Sequence, residues 1–95
     1  METKYVKSKD VIFTKVENEA VLLDGKGGTY FGLDGVGTFI WSKIEKGANA
    51  TQILEGMLSE YQIDSNQVEQ VHKDILNFIK ELEGKSLIYR VENND

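Results

Sequence analysis

The sequence predicts an α+β domain of winged helix-turn-helix-like layout, with a three-stranded antiparallel sheet followed by three helices. Three observations carry this. Apolar residues in the first third fall in short β-branched and aromatic runs, split by Gly and polar breaks. From Asp34 onward they recur at three- and four-residue steps, the helical period. The links between the early runs are too short for parallel crossovers, so those strands must form an antiparallel meander. Ninety-five residues make one domain, 1–95, with ends expected to fray at about 1–8 and 91–95.

Val11-Ile12-Phe13-Thr14-Lys15-Val16 is the first strand, closed by Glu17-Asn18. Glu19 to Asp24 is the second. Gly25-Lys26-Gly27-Gly28 supplies the turn into Thr29-Tyr30-Phe31-Gly32-Leu33, the third strand, with Thr29, Phe31 and Leu33 on one face. Asp34 is placed to cap a first helix whose stripe is Val36, Phe39, Ile40 and Ile44 beside Trp41, ending near Lys46-Gly47. Asn49 or Thr51 opens the second helix, which buries Ile53, Leu54, Met57, Leu58 and Tyr61. Asp64 or Ser65 caps a third helix of about nineteen residues, with Val68, Val71, Ile75, Phe78, Ile79 and Leu82 on its stripe. Gly84 stops it, and Leu87-Ile88-Tyr89 docks back as a short strand.

Composition narrows the function. There is no cysteine, so disulfides, thiolate metal sites and a cysteine nucleophile are excluded. His72 is the one histidine, which leaves no two-histidine metal spacing and little for acid–base work. The N-terminus lacks the apolar stretch of a signal peptide, and no run reaches membrane-spanning length, so a cytoplasmic protein is expected. A formal net charge of −5 weighs against nucleic acid. The lysines at positions 4, 7 and 9 read as a solvated end.

The glycines of residues 27–37 invite a phosphate-loop reading, which their order defeats. Gly32-x-x-Gly35-x-Gly37 reverses the dinucleotide spacing and follows an antiparallel strand, and no Gly-Lys-Ser/Thr comes after it. Gly32, inside a strand, marks a bulge or a close backbone approach. No nucleophile elbow, triad or carboxylate pair stands out from the solvated acids. Elimination therefore points to a protein that is not an enzyme and needs no cofactor or metal. What remains is surface: an edge strand offers unpaired backbone groups, and beside a long amphipathic helix it bounds an apolar trough in which a peptide could add as a strand. Burial of the same residues as plain core stays open.

The order "TYFGLDGVGTFIWSKIEKG", "TQILEGMLSEYQID", "VEQVHKDILNFIKELEGKSLI" resembles the PqqD-like family, the precursor-peptide recognition element of ribosomally made, modified peptides. The matching positions include Tyr30, Leu33, Asp34, Gly37, Ile40, Trp41, Tyr61, Asp64, Val71, Asp74, Ile75, Phe78, Leu82, Gly84 and Ile88, over about residues 10 to 90. Gly32 and Asp34-Gly35 depart from the family's bulkier strand-to-helix corner. The resemblance implies that the leader segment of a precursor peptide adds beside the third strand (Thr29, Tyr30, Phe31, Gly32, Leu33) and packs on the third helix (Val68, Val71, His72, Asp74, Ile75, Phe78, Ile79). It further implies a separate tailoring enzyme, such as a radical-SAM protein or a leader peptidase, in a PQQ, lasso-peptide or related pathway. Asp74 reads equally as an ion pair or cap within the fold, and Trp41 as core. A monomer or weak dimer is expected.

Two other classes compete. A DNA-binding winged helix needs basic or amide side chains on its recognition helix, yet Gln52 to Tyr61 holds no Lys or Arg and includes Glu55 and Glu60. A small scaffold or dimerisation domain would use the same open edge.

Overall fold

The structure, a computed structural model, describes residues 3–17 and 19–91. Its elements are β1 (Lys4–Lys7), β2 (Val11–Val16), β3 (Glu19–Asp24), β4 (Tyr30–Leu33), α1 (Gly35–Glu45), α2 (Ala50–Glu60), α3 (Val68–Gly84) and β5 (Ile88–Val91). The α+β architecture follows the sequence pattern. β2, β3 and β4 form an antiparallel sheet in that order, and three helices follow.

A second sheet was not anticipated. β1 pairs antiparallel with β5, with Tyr5 opposite Arg90 and Lys7 opposite Ile88. Fraying is therefore wrong for residues 4–7 of the expected 1–8 and for Val91 of the expected 91–95, which the ladder holds together; 92–95 lie outside the described residues. Tyr5 is the reason β1 docks. Its ring is buried in the core, while Lys4, Val6 and Lys7 face out.

Side-chain caps set two of the helix starts. The Asp34 carboxylate accepts the Gly37 N–H at 2.7 Å. Asn49 and Gln52 exchange side-chain and backbone bonds at 2.8 and 2.9 Å, a complete capping box. At α3 the expected cap is absent. Ser65–Gln67 forms a 3₁₀ turn, Asp64 contributes its backbone carbonyl to Gln67 N–H at 2.8 Å, and α3 itself has 17 residues.

The ends of α1 and α3 share one geometry. Gly47 (φ 86°) and Ser86 (φ 59°) both turn left-handed. Each closes a pair of bonds back onto the last turn: Gly47 to Ile44 and Ala48 to Lys43, Ser86 to Glu83 and Leu87 to Leu82, all between 2.9 and 3.0 Å. Gly84, expected to stop α3, is its last helical residue, and Ser86 makes the turn instead.

Trp41, Leu22, Ile44, Ile53, Ile75, Ile79 and Leu82 fill the centre. On α2 the burial is narrower than its stripe suggested: Ile53 and Met57 are inside, while Leu58 and Tyr61 are exposed, Tyr61 lying edge-on to Phe39 with ring centroids 5.6 Å apart.

Ser86→Gly removes the left-handed strain of a residue with a Cβ and should stabilise the fold by about 1 kcal/mol, read as a rise in Tm. Tyr5 gives a pH prediction. Burial first, then the nearby Glu83 carboxylate, raises its phenol above the usual value, with Arg90 opposing. The unfolded chain thus ionises first as pH climbs past the ordinary tyrosine range, and the stability present below that range is lost above it. Denaturant titrations above pH ~10 should fall less steeply for Tyr5→Phe than for the parent.

Candidate functional site

A groove of about 690 Å³ opens where the end of β4, the start of α1 and the middle of α3, from Val71 to Phe78, meet. Its walls are mainly apolar. Val71, Ile75 and Phe78 come from α3, Leu33 and Gly32 from β4, and Val36 and Ile40 from α1. Ile75 is 1% exposed and belongs to the core as well as to the floor, whereas Val71 and Phe78 are half-buried on the open side.

The strand-to-helix corner shapes this groove. Gly37 lies in the first turn of α1, where a Cβ would stand 3.3 Å from Leu33 and 3.4 Å from Phe78. The close approach assigned from the sequence to Gly32 therefore occurs at Gly37. Around Gly32 nothing lies within 4 Å of a built Cβ, and its pairing with Val21 continues the ladder without a bulge.

β4 is an edge strand, and the ladder tells which of its groups are directed outward. Asp24 N–H donates to Thr29 C=O, and Gly25 N–H donates to Asp10 C=O on the other side of β3. Hydrogen-bonded pairs alternate in an antiparallel ladder. Phe31 and Leu33 accordingly turn their N–H and C=O toward β3, and Tyr30 and Gly32 direct theirs to the free edge. Tyr30 is 76% exposed on the outer face, in line with Leu23 and Ile12 across the sheet.

Of the site residues expected from the sequence, Gly32, Leu33, Val71, Asp74, Ile75 and Phe78 line the groove together. Thr29, Tyr30, Phe31, Val68, His72 and Ile79 are not among its walls. Phe31 borders it, its ring 6.1 Å from that of Phe78 and 5.7 Å from the Lys85 ammonium. Ile79 is 1% exposed and borders a smaller cavity on the other side of α3, with Tyr5, Leu76 and Arg90. Asp74 accepts from Gln70 Nε2 at 2.9 Å, a bond one helical turn long on an exposed face.

Sequence reasoning missed Val16, Glu19, Ala20, Val21 and Met57, which other elements bring to the groove. Asp34, Val36, Gly37 and Ile40 were read as corner and helix residues, with no signal that they would also form a wall. Among the described residues no group of three His, Cys, Asp or Glu side chains could hold a metal ion, and no helix is long and apolar enough to cross a membrane.

Comparison with solved structures finds "TbiB1 in Complex with the TbiA(beta) Leader Peptide" at a TM-score of 0.80 and 34% identity, covering 93% of this chain and 99% of that one. A lasso peptide synthetase B1 complexed with the leader peptide matches at a TM-score of 0.79 over 90% of this chain and 98% of that one; at 19% identity this likeness is one of fold. No curated protein gives a significant match. The family model for coenzyme PQQ synthesis protein D (PqqD) matches residues 19–88. The chain belongs to the PqqD family.

Proposed function

We propose that this chain is a non-catalytic module that captures the leader segment of a ribosomally made precursor peptide and presents it to a separate modifying enzyme. The peptide lies as an added strand along β4, between it and α3. One observation carries the reading: an edge strand with two residues' backbone groups directed outward borders a 690 Å³ apolar groove on the same side of the molecule. Added strands gain affinity from backbone bonds and selectivity from pockets that take alternate side chains. The family match and the leader-bound neighbour of 34% identity support the same assignment.

Tyr30 and Gly32 provide the backbone donors and acceptors in this reading. Val71, Phe78 and Leu33 provide the apolar wall, and Ile75 the floor. Domain 1–95 works as one unit, and its partners are the peptide and a tailoring enzyme. The chemistry of that enzyme follows from its own active site, since the groove contributes shape and backbone bonds to the peptide.

Titrating the TbiA(beta) leader peptide, or the leader of a precursor encoded beside this gene, into ¹⁵N-labelled protein should shift the amides of Tyr30, Gly32 and residues 71–78. Unmoved amides there, with the peptide bound elsewhere or not at all, would sink the assignment. Two variants sharpen it. Gly32→Pro removes an N–H directed to the free edge and leaves the bonds to β3 intact; it should keep the fold and weaken peptide binding at least about tenfold. Phe31→Pro, which removes a bond to β3, should instead damage the sheet. Val71→Glu places a charge on the half-buried wall and should cost about tenfold or more in affinity with little change in Tm.

A further inference from the structure

We propose that the groove selects peptides by charge as well as by shape, taking extended apolar segments that carry lysine or arginine at the end meeting Glu19, Asp34 and Asp74. This inference rests on the peptide-capture reading above and adds the class of peptide. Its basis is the make-up of the walls: three carboxylates line the groove, and no Lys, Arg or His does. Among the described residues none of the three meets a cation, the ion pair present being Arg90 with Glu83 on the far side of α3. Their local bonds, from Gly37 N–H to Asp34 and from Gln70 to Asp74, orient the carboxylates without neutralising them.

The cation near β4 lies outside these walls: the Lys85 ammonium stands 5.7 Å from the Phe31 ring, which leans on Phe78. The charge inside the groove is therefore of one sign and gathered at the end of β4. Apolar walls discriminate weakly between one aliphatic side chain and another. Carboxylates gathered at one end of the same walls discriminate register and direction, because a slipped or reversed strand carries its cation away from them. Each carboxylate is exposed, so each contributes modestly, and low-dielectric walls concentrate their joint field on the ligand.

The test is a display library of random twelve-residue peptides panned on the whole chain in ~20 mM salt, on the same chain in ~500 mM salt where charges are screened within a few ångströms, and on the Glu19→Lys/Asp74→Lys variant. Asp34 is left alone because it caps α1. The parent at low salt should enrich Lys and Arg over Asp and Glu about fivefold or more at one end of the peptide, an excess that fades at high salt. The double variant should lose or invert it. Charge-blind apolar peptides from the parent at low salt, or the same enrichment from the double variant, overturn the inference and leave peptide capture standing. If the variant does not fold, the salt comparison on the parent decides alone. Selected peptides that leave the Gly32 and Phe78 amides unmoved overturn the capture reading as well.

Discussion

The corner at Asp34 is the constraint on which the rest depends. One carboxylate ends β4 and starts α1 by accepting the Gly37 N–H at 2.7 Å, and the Asp34 carbonyl takes the Thr38 N–H at 2.8 Å. Because residue 37 has no side chain, Leu33 and Phe78 both close on the first turn of α1. Sheet, first helix and third helix are joined at that point. A side chain there would have to move the Asp34 cap, Leu33 or Phe78 by a few tenths of an ångström, and each of these borders the groove.

α3 has two faces with different tasks. Ile75, Ile79 and Leu82 are buried and hold the helix in place. Val71 and Phe78, on the adjoining stripe, are half-buried because β4 is the edge of its sheet and, among the described residues, no further element covers them. An amphipathic helix ordinarily shows one apolar stripe about as wide as the core it meets. Here the stripe is wider than the core, and the excess is the groove wall. The same excess explains why Ile75 faces both: it sits at the boundary between the stripe's two halves.

Much of this was legible in the chain. Period two gave β2, β3 and β4, and the caps at Asp34 and Asn49 and the left-handed Gly47 were readable because each depends on residues within a few positions. β1 was not readable as a strand, because Lys4-Tyr5-Val6-Lys7 buries one residue and its partner is remote; the Ser8–Tyr89 hydroxyl contact spans 81 positions. The start of α3 was misplaced because Asp64 and Ser65 look like caps yet lead into a 3₁₀ turn. For the groove, the α3 wall followed from its helical period, and Gly32 and Leu33 from the edge strand. Val16 and Glu19 could not be inferred, since only the twist and stacking of the sheet carry the hairpin of β2 and β3 to that side. The glycine that matters for close packing proved to be Gly37, because its contacts come from elements distant in sequence.

The pairing of β1 with β5 also decides how the molecule yields to force. Lys4 and Val91 are partners at the same end of that ladder, so tension applied through the two chain ends opens it one bond at a time, from the outermost pair inward. Strands loaded in this way peel, whereas strands pulled along their length resist with all their bonds at once. The two-stranded sheet is therefore the molecule's mechanical fuse. Tension drawn through the ends frees the Lys4–Val91 pair first and Tyr5 next, while β4, α1 and α3 lie beyond the ladder.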